Sequence, residues 1–284
     1  MGCDAETKCT IQPVLKHRQT GNPLQMSFRR LAERISRGVV LSRRLPSKFG
    51  RLHVYVTPEA GLRYWLAMSR VDPTLYRMVE ELVRPGATVW DVGANVGLFG
   101  FCAAALSGPS GFVLSVGPDL WLAQLVGRSA RELSLSRSKC SCVRVVCASV
   151  SDANRVTELS VSERARSSSH LTHASGSTQA QGSRYLQQTV SLTLDFLLEH
   201  YPPPSVLKID VETHEANVLR GATRLLGEVR PTVWCEVSHE NSDEVTRLLH
   251  DAGYQLYGAV TQPHMRTQRA WFDTLGIPIE ACVS

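Results

Sequence analysis

The chain has 284 residues, of which 43% are hydrophobic and 20% are charged, the ordinary balance of a globular protein. This length suits one large domain with additions or at most two domains, and no apolar run reaches the roughly 20 residues of a membrane span. The formal charge is +5, but residues 11–51 hold ten basic residues and one acid, which gives +9 there and −4 elsewhere. We therefore predict a basic N-terminal appendage over residues 1–49 and a folded domain over residues 50–284.

The cysteines give no sign of a metal site or of secretion. Only Cys140 and Cys142 lie close together, and the second pair that a zinc site needs is missing. No secretion signal is visible either. We expect a reduced, cytoplasmic protein without a bound metal.

The appendage contains a basic amphipathic pattern that begins at Ser27, a residue type that caps helices. Apolar residues recur there at helical spacing with arginines between them, namely Phe28, Leu31, Ile35 and Val39. Such a helix either contacts an acidic partner, a membrane surface or RNA, or packs its apolar stripe on the domain with the arginines in water. Residues 1–26 show no periodicity, and we expect them to be mobile.

The most informative turn follows a short buried strand that is predicted to end at Asp91. It has the spacing Asp-x-Gly-x-Asn-x-Gly, with glycines at 93 and 97. Gly93 allows a tight exit from the strand, and Gly97 allows a ligand or the strand to approach the next helix. Asn95 is predicted to cap that helix, residues 95–106, whose free N–H groups face a ligand. The turn favours a nucleotide-type cofactor, although strand–helix packing alone also requires glycine.

Strand and helix patterns alternate along the rest of the chain. The predicted strands are Leu52–Val56, Phe112–Val116, Cys142–Ala148, Thr189–Leu194, Ser205–Asp210, Pro231–Val237, Tyr254–Tyr257 and Arg269–Phe272. The predicted helices are Pro73–Val83, Pro118–Leu133, a short one from Asp195, Val211–Leu226 and Ser242–Ala252. This order predicts an α/β fold with a doubly wound, seven-stranded, mostly parallel sheet.

One segment, residues 162–188, interrupts this alternation because it is rich in Ser, Gln and Gly. We interpret it as an insertion in the domain. It is either a lid over the functional site or a passive loop, and the sequence leaves both open.

Several spaced motifs carry a family resemblance. They are Val89–Gly97, Thr193–Asp195, Leu207–Glu215, Val218–Ala222, Pro231–Glu236 and Gly253–Tyr257. In these motifs and their order the chain resembles the FkbM family of S-adenosylmethionine-dependent methyltransferases. The resemblance implies a class I, Rossmann-like methyltransferase domain over residues 50–284 and S-adenosylmethionine as the cofactor. It also implies methylation of a hydroxyl group on a small molecule, such as a sugar or a secondary metabolite.

The chain departs from the family pattern at two positions. The family usually has an acid that holds the ribose hydroxyls of the cofactor where this chain has Gly117, and only Asp119 stands nearby. A lost charge-assisted hydrogen bond to a ribose costs about 1.5–3 kcal/mol, or about tenfold to a hundredfold in affinity. The second departure is Thr213, where the family has glycine, and a side chain there is expected to narrow the substrate side of the cleft.

The predicted site lies beyond the carboxyl ends of the strands, where open α/β sheets bind ligands. The expected cofactor-binding residues are Asp91, Gly93, Ala94, Asn95, Gly97, Leu98, Asp119, Ser151 and Asp152. Methyl transfer to a hydroxyl needs aligned reactants and a base. The catalytic candidates are Lys208, Asp210, Glu212, His214 and Glu236, with His239 as a further base. Lys208 and Asp210 share one side of a strand and are expected to pair. Helix capping by Asp210 and a favourable charge from Glu212 at a helix start are alternative explanations.

Other functions remain open at this point. A catalytically degenerate binding or scaffold protein is one, because Gly117 and Thr213 both fall at the functional edge. An RNA methyltransferase is another, because the appendage is basic. A nicotinamide-dependent dehydrogenase is disfavoured because no Gly-x-Gly-x-x-Gly occurs.

Overall fold

The computed structural model describes residues 31–136, 139–163, 165–171, 182–259 and 265–282. At the centre of these ranges lies an eight-stranded sheet. Its strands, from one edge to the other, are β13 (Arg266–Thr267), β12 (Tyr254–Gly258), β14 (Thr274–Pro278), β11 (Thr232–Cys235), β10 (Val206–Ile209), β3 (Thr88–Val92), β4 (Phe112–Gly117) and β5 (Cys142–Cys147). The strands from β11 to β5 run parallel, whereas β14 is antiparallel to both β11 and β12. The predicted seven-stranded, mostly parallel sheet is confirmed, with the two-residue β13 added at one edge.

Apolar cores lie on both faces of this sheet. Alternate residues of the central strands belong to different cores, since Val89 packs in one and Trp90 in the other. The helices are α1 (residues 31–35), α2 (Pro73–Leu82), α3 (Leu98–Ser107), α4 (Leu120–Leu135), α5 (Leu194–Leu198), α6 (Glu215–Arg220) and α7 (Ser242–Asp251). Within the ranges given above, no helix is both long and apolar enough to cross a membrane.

Two helices begin where local sequence signals place them. Helix α2 has Pro73 in its first turn, and the Asp72 side chain accepts a hydrogen bond from Leu75 N–H. In the same way the Asp119 carboxylate accepts from the first free N–H groups of α4. These caps satisfy backbone donors that have no partner within the helix.

A second sheet is built around the predicted insertion. Its strands are β6 (Ser149–Val150), β9 (Ser183–Leu192), β7 (Arg155–Ser162) and β8 (His170–Leu171), in that spatial order. Strands β7 and β9 pair antiparallel along their length, with one irregularity near Val161. The sequence predicted only the end of β9 and missed β7, because β7 has a partner only after a long polar connection. Part of the insertion, residues 172–181, lies outside the described residues.

The N-terminal part of the described chain forms a small addition to the domain. Strand β1 (Leu41–Arg44) pairs antiparallel with β2 (His53–Val56), and Tyr55 N–H donates to Ser129 Oγ of α4 at 2.8 Å. The predicted strand at 52–56 is therefore confirmed. Residues 1–30, which include the predicted helix start at Ser27, lie outside the described residues.

Three predicted elements were wrong in detail. Helix α3 is capped by Gly97, not by Asn95, because Asn95 and Gly97 both have a positive φ and the chain is still turning there. The last long strand is Thr274–Pro278 instead of Arg269–Phe272. The helix predicted over 211–226 shortens to α6 and a separate π-helical turn, Leu225–Val229.

Candidate active site

The carboxyl ends of the parallel strands open onto a cavity of about 340 Å³. Its walls come from the turn after β3, the turn after β4 and the residues after β10 and β11. The N-terminal addition and the insertion complete it, mainly through Arg63, Asp72 and Arg166. Three separate parts of the chain therefore enclose one space at the edge where α/β sheets bind ligands.

The turn after β3 leaves a backbone surface on the cavity. Gly93 has φ +82°, and a Cβ there would lie 1.8 Å from the carbonyl oxygen of Asp210. The turn is held because Gly93 N–H and Ala94 N–H both donate to Val116 O, at 2.9 and 3.0 Å. The buried Asn95 Oδ1 has no hydrogen-bond partner among the described residues. Only glycine fits at 93, and the turn keeps an unsatisfied acceptor beside the cavity.

An ion network centred on the buried Lys208 lies next to the turn. Lys208 Nζ is 3.0 Å from Asp210 Oδ2 and 3.7 Å from Asp91 Oδ1, and Asp91 Oδ2 accepts from Gly100 N–H at 3.1 Å. Burial by itself lowers the pKa of Lys208, but the carboxylates of Asp210 and Asp91 outweigh it and raise that pKa. Lys208 is therefore a fixed cation that joins the strand before the glycine turn to the carboxylate of Asp210.

Carboxylates gather at the ends of β10 and β11. Burial, together with the nearby charge of Asp210, raises the pKa of Glu236 to about 7. Burial beside Asp210 and Glu215 also raises the pKa of Glu212, but the Glu212 side chain is solvent-exposed, which weakens this effect. Glu236 is half-buried, and it is the better candidate for a base that works near neutral pH.

His214 reaches the cavity with a defined hydrogen bond. Its Nε2 lies 2.8 Å from Ser151 Oγ, and Ser151 Oγ donates to Asp152 Oδ1 at 3.0 Å. Because the serine proton goes to Asp152, Ser151 Oγ accepts from an Nε2–H of His214, which leaves Nδ1 as an acceptor. Burial lowers the pKa of His214, so the neutral imidazole is favoured.

The region where the family places its ribose-binding acid is arranged differently here. Asp119 caps α4 and also receives Arg166 Nη1, at 3.0 and 2.7 Å from its two oxygens. Arg166 Nε donates to Glu59 Oε2 at 3.2 Å, so this insertion residue ties two buried acids together. A Cβ on Gly117 would come no closer than 3.8 Å to Ala94 N, which leaves space for a side chain.

The structure brings together only part of the predicted site. Of the predicted residues, those that line the cavity are Gly93, Ala94, Asn95, Asp119, Asp210, Glu212, His214 and Glu236. Asp91 and Lys208 lie beneath it, and Gly97 and Leu98 pack inward, since a Cβ on Gly97 would lie 2.9 Å from the Phe101 ring. Ser151 and Asp152 stand behind His214, and His239 is an exposed residue of a 3₁₀ turn.

Sequence reasoning missed Arg63, Asp72 and Arg166. Arg63 Nη1 pairs with Asp72 Oδ2 at 2.9 Å, and both residues line the cavity. The pair Asp72-Pro73 is a local signal for a helix cap. Nothing in the sequence shows that the Asp72 carboxylate also lines the cavity. Arg166 lies in the insertion, where composition alone does not distinguish a lid from a loop.

Thr213 does not line the cavity, so its side chain does not narrow the cleft as expected. It has φ +61°, a conformation that strains a β-branched residue. We predict that Thr213→Gly raises the free energy of unfolding by about 0.5–1 kcal/mol. The substitution relieves backbone strain in the folded state, and the greater conformational entropy of glycine in the unfolded chain offsets part of this gain.

Urea unfolding of both forms measures this effect. Arg51→Gly is the matched control, because Arg51 has φ +53° without a branch at Cβ, and its effect should be near zero. A Thr213→Gly variant that is less stable than the parent would show that no strain is stored there.

Most of the chain that forms this cavity matches a known protein family. Residues 91–256, more than half of the chain, match the model of the methyltransferase FkbM domain. The chain belongs to this family. The resemblance read from the motifs is confirmed, and S-adenosylmethionine is the cofactor of this FkbM methyltransferase domain. No curated protein sequence matches the chain.

The chain is also similar, at low identity, to several solved methyltransferase structures. A methyltransferase FkbM from Methylobacillus flagellatus is 15% identical with a TM-score of 0.45, over 71% of this chain and 50% of that one. A precorrin-6y C5,15-methyltransferase from Geobacter metallireducens is 10% identical with a TM-score of 0.43, over 75% and 90%. Fibrillarin from Aeropyrum pernix, solved with S-adenosylmethionine, is 12% identical with a TM-score of 0.41, over 72% and 76%. The chain thus spans half the length of the FkbM structure.

Proposed function

We propose that this chain is an S-adenosylmethionine-dependent O-methyltransferase that acts on a hydroxyl group of a small molecule, such as a sugar or a secondary metabolite. One observation carries the proposal. A single cavity is lined both by the glycine turn of the family motif and by Glu236, a carboxylate whose pKa lies near neutrality. A cofactor surface and a base suited to a hydroxyl proton thus share one space.

The residues present fit the cofactor. The turn at Gly93 excludes any side chain, and Asn95 Oδ1 is an acceptor with no partner in the described part of the chain. Asp210 and Glu236 make the cavity wall acidic. When bound, S-adenosylmethionine supplies a methyl group on a positively charged sulfur, and acidic walls favour a cation. Gly117 stands where the family usually has an acid that binds the ribose hydroxyls. Asp119 is nearby, but both of its carboxylate oxygens accept hydrogen bonds from Arg166.

The chain itself would handle the acceptor proton. Glu236 would accept the proton of the acceptor hydroxyl at a carboxylate oxygen, and Lys208 would hold Asp210 in place beside it. Asp72 and Arg63, which also line the cavity, would orient other hydroxyl groups of the acceptor. These carboxylates repel phosphates, which supports a neutral acceptor over a nucleic acid.

Calorimetric titration with S-adenosylmethionine and S-adenosylhomocysteine tests the cofactor site. We expect micromolar binding that Gly117→Leu does not tighten, because leucine has about the size of glutamate but no acceptor for the ribose hydroxyls. Gly117→Glu should tighten binding about tenfold or more, because it restores an acid for the ribose hydroxyls. Gly127→Ala is the control, since Gly127 lies in α4 with open space around its Cβ position.

Absence of binding to either ligand by the folded protein would contradict the proposal. It would instead favour a degenerate scaffold that keeps the fold. Binding without methyl transfer to any hydroxylated acceptor, together with transfer to an amine or to RNA, would keep the cofactor and overturn the acceptor.

A further inference from the structure

An exposed apolar surface lies at the start of the described chain. Leu31 and Ile35, one turn apart on α1, are 53% and 63% exposed, and Trp65 and Leu66 are 44% and 52% exposed. Trp65 Nε1 donates to Ser36 Oγ at 3.0 Å, which fixes the indole beside the end of α1. Clustered large apolar side chains in water indicate a contact surface.

The same region is basic. Arg34, Arg37 and Arg70 are exposed, and none of them forms an ion pair with the residues that the structure describes. Residues 31–51 contain six basic residues against one acid. We call Leu31, Ile35, Trp65, Leu66 and these three arginines the apolar–basic surface.

We propose that the apolar–basic surface docks on an anionic membrane surface. Leucine, isoleucine and tryptophan at the interfacial layer, combined with arginines that meet anionic headgroups, are the chemistry of helices that lie on membranes. Trp65 is well suited to this layer, because its ring is apolar and its N–H is satisfied by Ser36. Arg34, Arg37 and Arg70, which form no ion pair with any described residue, provide the complementary charge.

The pattern fits a membrane better than a nucleic acid. RNA would use the arginines but has no need for Leu31, Ile35 and Leu66, which are aliphatic and cannot stack on bases. A membrane uses both kinds of residue. Because Arg63 lines the cavity and Trp65 follows two residues later, docking would bring the mouth of the cavity close to the headgroups.

Flotation of the full-length protein with lipid vesicles tests the proposal. The protein should float with phosphatidylcholine vesicles that contain about 30 mol% phosphatidylserine, should not float with pure phosphatidylcholine, and should be released by salt. Arg34→Glu with Arg37→Glu should lower partitioning at least about 25-fold, since each basic residue near an anionic surface contributes about fivefold. Leu31→Ser with Ile35→Ser should lower it about tenfold or more.

Matched controls lie on helix α4. Arg131→Glu and Leu135→Ser change an exposed arginine and an exposed leucine elsewhere, and both should float like the parent. Flotation that is absent in the parent, or equally reduced by these controls, would overturn the proposal. RNA binding lost in the arginine variant and kept in the Leu31→Ser, Ile35→Ser variant would assign the surface to nucleic acid. A dimer that only the serine variant dissociates would assign it to a second copy. The measurement uses no cofactor, so it stands apart from the methyltransferase proposal.

Discussion

Glu236→Gln is expected to lower kcat for methyl transfer by about 10²- to 10⁴-fold, the usual contribution of a positioned general base. The glutamine keeps the shape of the side chain but cannot accept the hydroxyl proton. Binding of S-adenosylhomocysteine should stay within a few-fold of the parent, because the base serves the acceptor and not the cofactor. Turnover with labelled cofactor and calorimetry measure the two effects separately.

The pH dependence sharpens this test. Because the base works only when deprotonated and the pKa of Glu236 is about 7, kcat/KM should rise tenfold per pH unit below 7 and level off above it. Glu240→Gln is the matched control, since Glu240 is exposed on the following 3₁₀ turn and should leave the profile unchanged. A Glu236→Gln enzyme with the parental rate and profile would remove Glu236 as the base.

The same substitution should stabilise the fold at alkaline pH. The folded pKa of about 7 lies above the ordinary value of 4.5, so between these values the folded state keeps a proton that the unfolded state has lost. The free energy of unfolding of the parent therefore falls as pH rises through this window. Glu236→Gln should be more stable by about 1–3 kcal/mol at pH 8 and unchanged near pH 4.

Lys208→Met should have the largest effect on stability, a loss of about 3–5 kcal/mol at pH 8. Lys208 is the cation between Asp91 and Asp210, and its removal leaves the buried Asp91 carboxylate without a counter-charge. Burial already raises the pKa of Asp91, and without Lys208 it would rise further. The loss should therefore be smaller at pH 5 than at pH 8, because lower pH favours the protonated, neutral form of Asp91 in the folded state.

Chemical unfolding at both pH values measures this loss. Lys48→Met is the matched control, since the Lys48–Glu80 pair has the same type of contact at 2.7 Å but is exposed, and it should cost less than about 1 kcal/mol. The double variant Lys208→Met, Asp91→Asn should recover most of the stability if the buried charge is the cause. An equal loss in both lysine variants would show that the network carries no special energy.

Local sequence was sufficient for much of the fold because its signals act over a few residues. The parallel strands β3, β4 and β10 are short apolar runs, and Asp72 and Asp119 precede helices that they cap. The prediction that Asn95 caps α3 was wrong. Asparagine is a common capping residue, but the chain at Asn95 is still turning and has a positive φ. Strand β7 was not predicted, because its partner β9 follows only after a long polar segment.

For the same reason, only part of the candidate site could be predicted from the sequence. The glycine turn and the carboxylates after β10 and β11 lie in the family motifs, so the family resemblance predicted them as site residues. The clamp of Arg166 on Asp119 and Glu59 joins residues 47 and 107 positions apart. No local pattern predicts such a pairing, because the strong attraction between these charges needs the low-dielectric interior, which exists only after folding.

By itself, the sequence determined the α/β class, the positions of the central parallel strands along the chain, the family and its cofactor, because apolar periodicity and motif spacing are properties of neighbouring residues. Tertiary structure alone decided which polar groups share a cavity, how far the pKa of Glu236 rises, and that Leu31 and Ile35 stay in water beside Trp65. These properties depend on burial and on distances between remote segments, and burial and distance are set only when the chain has closed on itself.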